Sequence, residues 1–161
     1  MYPGIHPARI ARLNDLGPAP GSHVLYWMQQ SQRAEWNHAL EYAIHEANRL
    51  DQSVLVGFGL TADYPDANQR HFAFMLEGLK ETAAALAERG IPFILEEGSP
   101  DLVALKLARQ ASVVVCDRSY LCHQKRWRQN VARKAGRMVV QVESDAVVPV
   151  NAASDKAEYA A

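Results

Sequence analysis

The sequence predicts a doubly wound α/β domain built on a mainly parallel, five-stranded sheet flanked by helices. Three observations carry that expectation. Short β-branched and aromatic runs alternate with longer segments whose apolar residues recur at helical spacing. Such alternation produces parallel strands joined by right-handed helical crossovers. The run Ser112-Val113-Val114-Val115-Cys116 is apolar almost throughout, as a strand covered on both faces should be. Finally, 161 residues at 48% hydrophobic and 22% charged suffice for one ordinary domain with its own core.

The elements follow in order. Residues 1–22 form a leading segment that Pro3, Pro7, Pro18 and Pro20, with Gly4, Gly17 and Gly21, break repeatedly. A helical turn or two fits around Ala8–Leu16. His23-Val24-Leu25-Tyr26-Trp27-Met28 is the first strand. A helix follows over about Glu35–Leu50, with Trp36, Leu40, Ala43, Ile44, Ala47 and Leu50 on one apolar face. Ser53–Phe58 is the second strand, and Thr61–Asp66 a loop. The next helix runs from about Ala67 to Arg89, its expected buried stripe being Phe72, Met75, Leu76, Leu79, Ala83, Leu86 and Ala87. Gly90 stands where a helix C-terminal glycine belongs.

Ile91–Leu95 is the third strand, and Pro92 places it at an edge, because proline cannot donate to the ladder. Ser99-Pro100-Asp101 then opens a short helix with a capping residue, a first-turn proline and a carboxylate at the positive dipole end. Ser112–Cys116 is the fourth strand, Leu121–Ala135 a basic helix closed by Gly136, and Met138–Val142 the fifth strand. The domain proper is thus expected over residues 23–150. Asn151–Ala161 reads as the start of a polar, alanine-rich linker.

For a Rossmann-like strand order of 3-2-1-4-5, the winding reverses between the first and fourth strands. Ligands of open parallel sheets bind beyond the carboxyl strand ends at that reversal. The residues expected there are Met28-Gln29-Gln30-Ser31-Gln32-Arg33 and Asp117-Arg118-Ser119-Tyr120. They make a polar-rimmed cleft with Tyr26 or Trp27 near its floor. Asp117-Arg118 reads either as a loop ion pair or as part of that cleft.

Charge and motifs exclude several classes. With 17 Lys and Arg against 18 Asp and Glu, the formal net charge is −1, unlike a basic nucleic-acid module. No apolar run is long enough to span a bilayer. The start, Met1-Tyr2-Pro3-Gly4, lacks the basic and apolar regions of a signal peptide. Two cysteines, Cys116 and Cys122, make no disulfide framework, so a cytoplasmic location is expected. Neither a P-loop nor a nucleophile elbow is present. Gly57-Phe58-Gly59-Leu60-Thr61-Ala62 fits a dinucleotide pattern on paper but follows the second strand, with Tyr64-Pro65 delaying the helix. His38 and His45 are seven residues apart, too far for a helical chelating pair, and Cys116, Cys122 and His123 form no C-x-x-C site. Lys125, Arg126, Arg128, Arg133, Lys134 and Arg137 make the last helix basic, as a solvated face or as a surface for an acidic partner.

Several runs resemble one family. Val24-Leu25-Tyr26-Trp27-Met28-Gln29-Gln30-Ser31-Gln32-Arg33 and Asn37-His38-Ala39-Leu40-Glu41-Tyr42-Ala43 are similar to the N-terminal domain of class II cyclobutane pyrimidine dimer photolyases. So are Arg70-His71-Phe72-Ala73-Phe74-Met75-Leu76-Glu77-Gly78-Leu79, Val115–Leu121 and Val142–Val150. The likeness covers about residues 5–161.

The resemblance implies the antenna domain of a light-driven DNA repair flavoprotein. FAD and the flipped dimer would belong to a C-terminal helical domain outside these residues, so no catalytic residue is assigned here. Within this domain the resemblance implies a deazaflavin-type chromophore held by Met28, Gln29, Arg33, Asp117 and Arg118. The expected partners are that FAD-binding domain and, through the whole enzyme, dimer-containing DNA; no membrane is expected. Two other classes fit the residues: a stand-alone nucleotide- or flavin-binding module, and an interaction scaffold docking through the basic helix.

Overall fold

The computed structural model describes residues 4–153. A 3₁₀ turn at Pro7–Arg9 leads into β1 (Ile10–Arg12), followed by β2 (His23–Trp27), α1 (His38–Leu50), β3 (Ser53–Leu60) and α2 (Gln69–Glu88). Then come β4 (Phe93–Glu97), α3 (Pro100–Leu107), β5 (Ala111–Asp117), α4 (Cys122–Lys134), β6 (Met138–Val142) and the short α5 (Val150–Ala153). They form one six-stranded sheet in the order β1-β6-β5-β2-β3-β4. The five parallel strands lie in the expected order. The sheet nevertheless has six strands rather than five, because β1 pairs antiparallel with β6, Ala11 opposite Gln141. The leading segment therefore contributes a strand where the sequence suggested a helical turn.

Alternation along the strands divides the core. Val24, Tyr26, Val113, Val115, Val140 and Val142 face one side and pack against Leu40, Tyr42, Ala43, Leu79 and Leu86 of α1 and α2. Leu25, Trp27, Val114, Cys116 and Val139 face the other, against Ala104 of α3 and Val131 and Ala132 of α4. All seven residues of β5 are buried, consistent with its central place. β4 sits at the edge that Pro92 indicates.

Local chemistry sets the helix ends. Asn37 caps α1, its Oδ1 accepting from Ala39 N and Leu40 N at 3.0 Å each. Trp36 is therefore outside the helix, at φ 51° and 88% exposed, and not in the core as its spacing suggested. Asn68 and His71 form a reciprocal capping box at the start of α2. The expected stripe of α2 is only half realised. Leu79, Thr82 and Leu86 are buried, while Leu76 and Phe74 stay exposed.

The two glycines of Gly57-Phe58-Gly59 lie inside β3 and serve packing. A Cβ on Gly59 would stand 2.6 Å from Pro100 Cα, and one on Gly57 would strike Leu107. Their absence lets α3 lie directly on the strand, which accounts for the glycines without a phosphate cradle.

Buried Arg9 joins the two ends of the domain. Its guanidinium donates to the carbonyls of Glu143 (3.2 Å), Ala146 (2.7 Å) and Val147 (2.7 Å). The chain beyond β6 is thereby drawn back across the carboxyl ends of the strands.

Candidate functional site

The crevice between β2 and β5 is filled by the protein itself. Asp117, at the end of β5, is 1% exposed. Its Oδ2 accepts from the backbone N–H groups of Gln29 (2.9 Å), Gln30 (2.8 Å) and Ser31 (3.1 Å). Its Oδ1 accepts from the Tyr26 hydroxyl at 2.8 Å. Three successive N–H groups converging on one oxygen make an anion-binding nest, and here the anion is internal. Burial raises the Asp117 pKa, while its donors oppose the shift. The Tyr26 hydroxyl is likewise raised well above its usual range, by burial and then by Asp117. Asn37 completes the knot, donating to Tyr26 Oη, Ser31 O and Arg33 O at 2.9–3.0 Å.

The remaining expected residues are distributed around this knot. Met28 is fully buried in the α1-side core. Arg33 pairs with Asp145 at 2.9 Å and donates to Ser144 O, pinning the segment after β6 over the crevice. Arg118 does not pair with its neighbour Asp117. It lies 3.7 Å from Glu143 and donates to Asn151 Oδ1 at 2.7 Å. Gln29 alone of the five lines a second opening at the strand ends.

That opening, a cleft of about 500 Å³, lies one strand further along than the sequence indicated, beyond β2 and β3. Phe58 and Gly59 form its base. One wall is the first half of α2, with His71, Phe72, Phe74 and Met75. The facing wall is Tyr64 and Pro65 of the loop after β3, with Gln124 and Trp127 of α4. Tyr64, His123 and Trp127 make an edge-on aromatic cluster, Tyr64 to His123 at 4.8 Å and His123 to Trp127 at 5.1 Å between ring centres. Gln124 Nε2 donates to the Tyr64 hydroxyl at 3.3 Å, fixing the loop onto α4.

Two polar atoms in this apolar setting have no partner among the described residues. The Oε1 atoms of Gln29 and Gln124 are buried without a hydrogen bond, and both residues line the cleft. A buried acceptor without a donor is costly, so such atoms fit a ligand carrying N–H or O–H groups. Flat apolar walls with a few placed acceptors suit a planar, polar-edged molecule.

Sequence reasoning assigned Phe72 to the core and gave Gln124 and Trp127 no role. A signal was present in Phe72-Ala73-Phe74-Met75-Leu76, since five successive apolar residues cannot all face one sheet.

Fold and cleft together define a doubly wound α/β domain with a ligand-sized aromatic recess at the carboxyl strand ends. Residues 24–161 match the DNA photolyase family model, and the chain belongs to that family. It is 50% identical over 158 residues to the deoxyribodipyrimidine photo-lyase of Methanothermobacter thermautotrophicus, covering 98% of this chain and 36% of that protein. The Arabidopsis thaliana enzyme of the same name is 36% identical over 142 residues, covering 86% and 29%. The chain thus spans about a third of the length of the curated relatives it matches. Among solved structures, a universal stress protein from Archaeoglobus fulgidus in complex with dAMP aligns at TM-score 0.51 and 14% identity, over 75% of this chain and 97% of that one. Protein PA1789 from Pseudomonas aeruginosa aligns at TM-score 0.56 and 16% identity, over 84% and 52%. At such identities the likeness is one of fold. Among the described residues no helix is long and apolar enough to cross a membrane.

Proposed function

We propose that this chain is the light-harvesting α/β domain of a class II photolyase, a cytoplasmic flavoenzyme that splits cyclobutane pyrimidine dimers in DNA. The names of its relatives support the repair reading. The single observation that carries the antenna reading is the pair of orphaned amide oxygens in an aromatic cleft. Phe72 and Trp127 would hold a deazaflavin-type ring by their apolar faces, and Gln29 and Gln124 would accept its N–H groups. When bound, such a chromophore supplies absorbed light energy to FAD, which the proposed helical partner domain holds.

The chain's own residues then have distinct duties. Gln29 touches the ligand. Asp117 holds the loop that carries Gln29, and Met28 anchors that loop in the core. Arg33 and Arg118 hold the segment after β6, along the way to the partner domain.

Fluorescence titration with a 5-deazaflavin tests this. Phe72→Ala and Gln29→Leu should each weaken binding about tenfold, as the loss of one stacking face or one buried hydrogen bond predicts. Gln29→Leu should leave the melting temperature unchanged or higher, because it removes an unsatisfied buried oxygen. A chain that ignores the probe at millimolar concentration would remove the antenna reading.

A further inference from the structure

On the other side of α4 lies a second cleft, of about 420 Å³, and we infer that it binds an oligophosphate anion. Arg118, Lys125, Arg128 and Arg133 line it, and among the described residues no carboxylate does. The three cations on α4 come from one face, since positions 125, 128 and 133 recur at helical spacing with Gln129 between them. Arg118 joins them from the loop after β5.

The decisive group is Arg128, which is 6% exposed. Its guanidinium donates to Ser119 Oγ and to Ser119 O, the latter at 2.7 Å, and both acceptors are neutral. Among the described residues, no carboxylate oxygen lies within 4 Å of Arg128, Lys125 or Arg133. Arg118 is the exception, with Glu143 at 3.7 Å. A guanidinium stays charged in proteins, and a buried charge with no carboxylate in contact is unfavourable. Burial pulls the Arg128 pKa down and the nearby Arg118 adds to that pull, while Cys116 and, more weakly, the buried Asp117 oppose it from a distance.

An anion entering the cleft would meet three cations left without a carboxylate. That count matches a diphosphate or triphosphate better than a single carboxylate or chloride. Guanidinium groups also bind phosphate oxygens two at a time, which favours phosphate over a monovalent ion. Tyr120 stands at the rim with its ring 5.4 Å from the Arg118 guanidinium and 6.0 Å from Lys125 Nζ. The inference is independent of the aromatic cleft.

Isothermal titration with tripolyphosphate and with ATP tests it. Wild-type protein should bind tripolyphosphate, and more weakly as salt rises. Equal affinities would mean that the phosphate chain alone is read; tighter ATP would make a nucleotide the source of that chain. Lys125→Gln and Arg133→Gln, both at exposed positions, should each weaken binding about tenfold at unchanged melting temperature. Arg126→Gln and Lys134→Gln, on the same helix but outside the cleft, should change it little. Equal weakening by the two pairs would reduce the effect to net charge and overturn the site. Failure of tripolyphosphate to bind, or binding of duplex DNA alone, would overturn it as well.

Discussion

Helix α4 separates two clefts of similar size and opposite chemistry. Toward β3 it presents Gln124 and Trp127 to a recess walled by aromatic rings. Toward β6 it presents Lys125, Arg128 and Arg133 to a recess that no carboxylate of the described residues lines. One helix, read on two faces, supplies a flat apolar wall to one and a charged wall to the other. The difference teaches that amphipathicity here is threefold: one face for the core, one for stacking and one for anions. Asp117 stands between the two clefts at the end of the central strand, holding the Gln29 loop on one side and leading into Arg118 on the other.

The largest expected effect breaks that partition at its post. Asp117→Asn removes the charge, leaves one acceptor oxygen where two served four donors, and turns an NH₂ toward the Tyr26 hydroxyl that now donates there. Urea denaturation should show a loss of about 2–4 kcal/mol. The melting temperature should fall by roughly 5–15 °C. Both clefts should loosen together, so a variant that lost only one ligand would separate them again.

Next is the base of the aromatic side. Gly59→Ala places a methyl group 2.6 Å from Pro100 Cα, where backbone must move. The expected cost is about 1–3 kcal/mol, measured by the same denaturation. The deazaflavin affinity should fall with it, while tripolyphosphate affinity holds.

A smaller effect sharpens the contrast across α4. Trp127→Ala should weaken the planar ligand about tenfold and leave the anion unaffected. Lys125→Glu should do the reverse. Loss of both ligands in either variant would mean that the clefts are coupled.

The smallest effect is in alkaline pH. Burial, and then its hydrogen bond to Glu143, lifts the Tyr120 hydroxyl to about 12, and burial lifts the Cys116 thiol to about 12. Each group keeps its proton in the folded chain at a pH where the unfolded chain has lost it. Their contributions are therefore complete below pH 9 and decline as pH rises toward 12. Cys116→Ala should flatten the decline from about pH 9 and Tyr120→Phe from about pH 10, both read from melting temperature against pH. Tyr120→Phe should act weakly, since that residue is 43% exposed.

Much of the fold was legible because its cause is local. Alternation of apolar runs marked the five parallel strands, and Pro92 marked the edge. The sixth strand was not legible. Ile10–Arg12 is only three residues long, and its partner lies well over a hundred residues away. Trp36 failed for the opposite reason: its spacing was helical, but Asn37 is the better cap and ends the helix first. At the site, polarity picked out Asp117 and Gln29. What polarity could not reveal is that Asp117 is consumed by backbone N–H groups, which every residue but proline carries and no sequence displays. The recess moved to β3 because the β2–β5 crevice was already full.

The grip of Arg9 on the carbonyl of Ala146 spans 137 positions of sequence. On a ribosome adding roughly 5–20 residues each second, Arg9 is made about 7–27 s before its acceptor. β1 must likewise wait for β6. During that interval β1 lacks its native partner, while β2, β3 and β5 already exist. The return of the first residues to β6 and Ala146 can therefore be completed only after nearly the whole domain has been made.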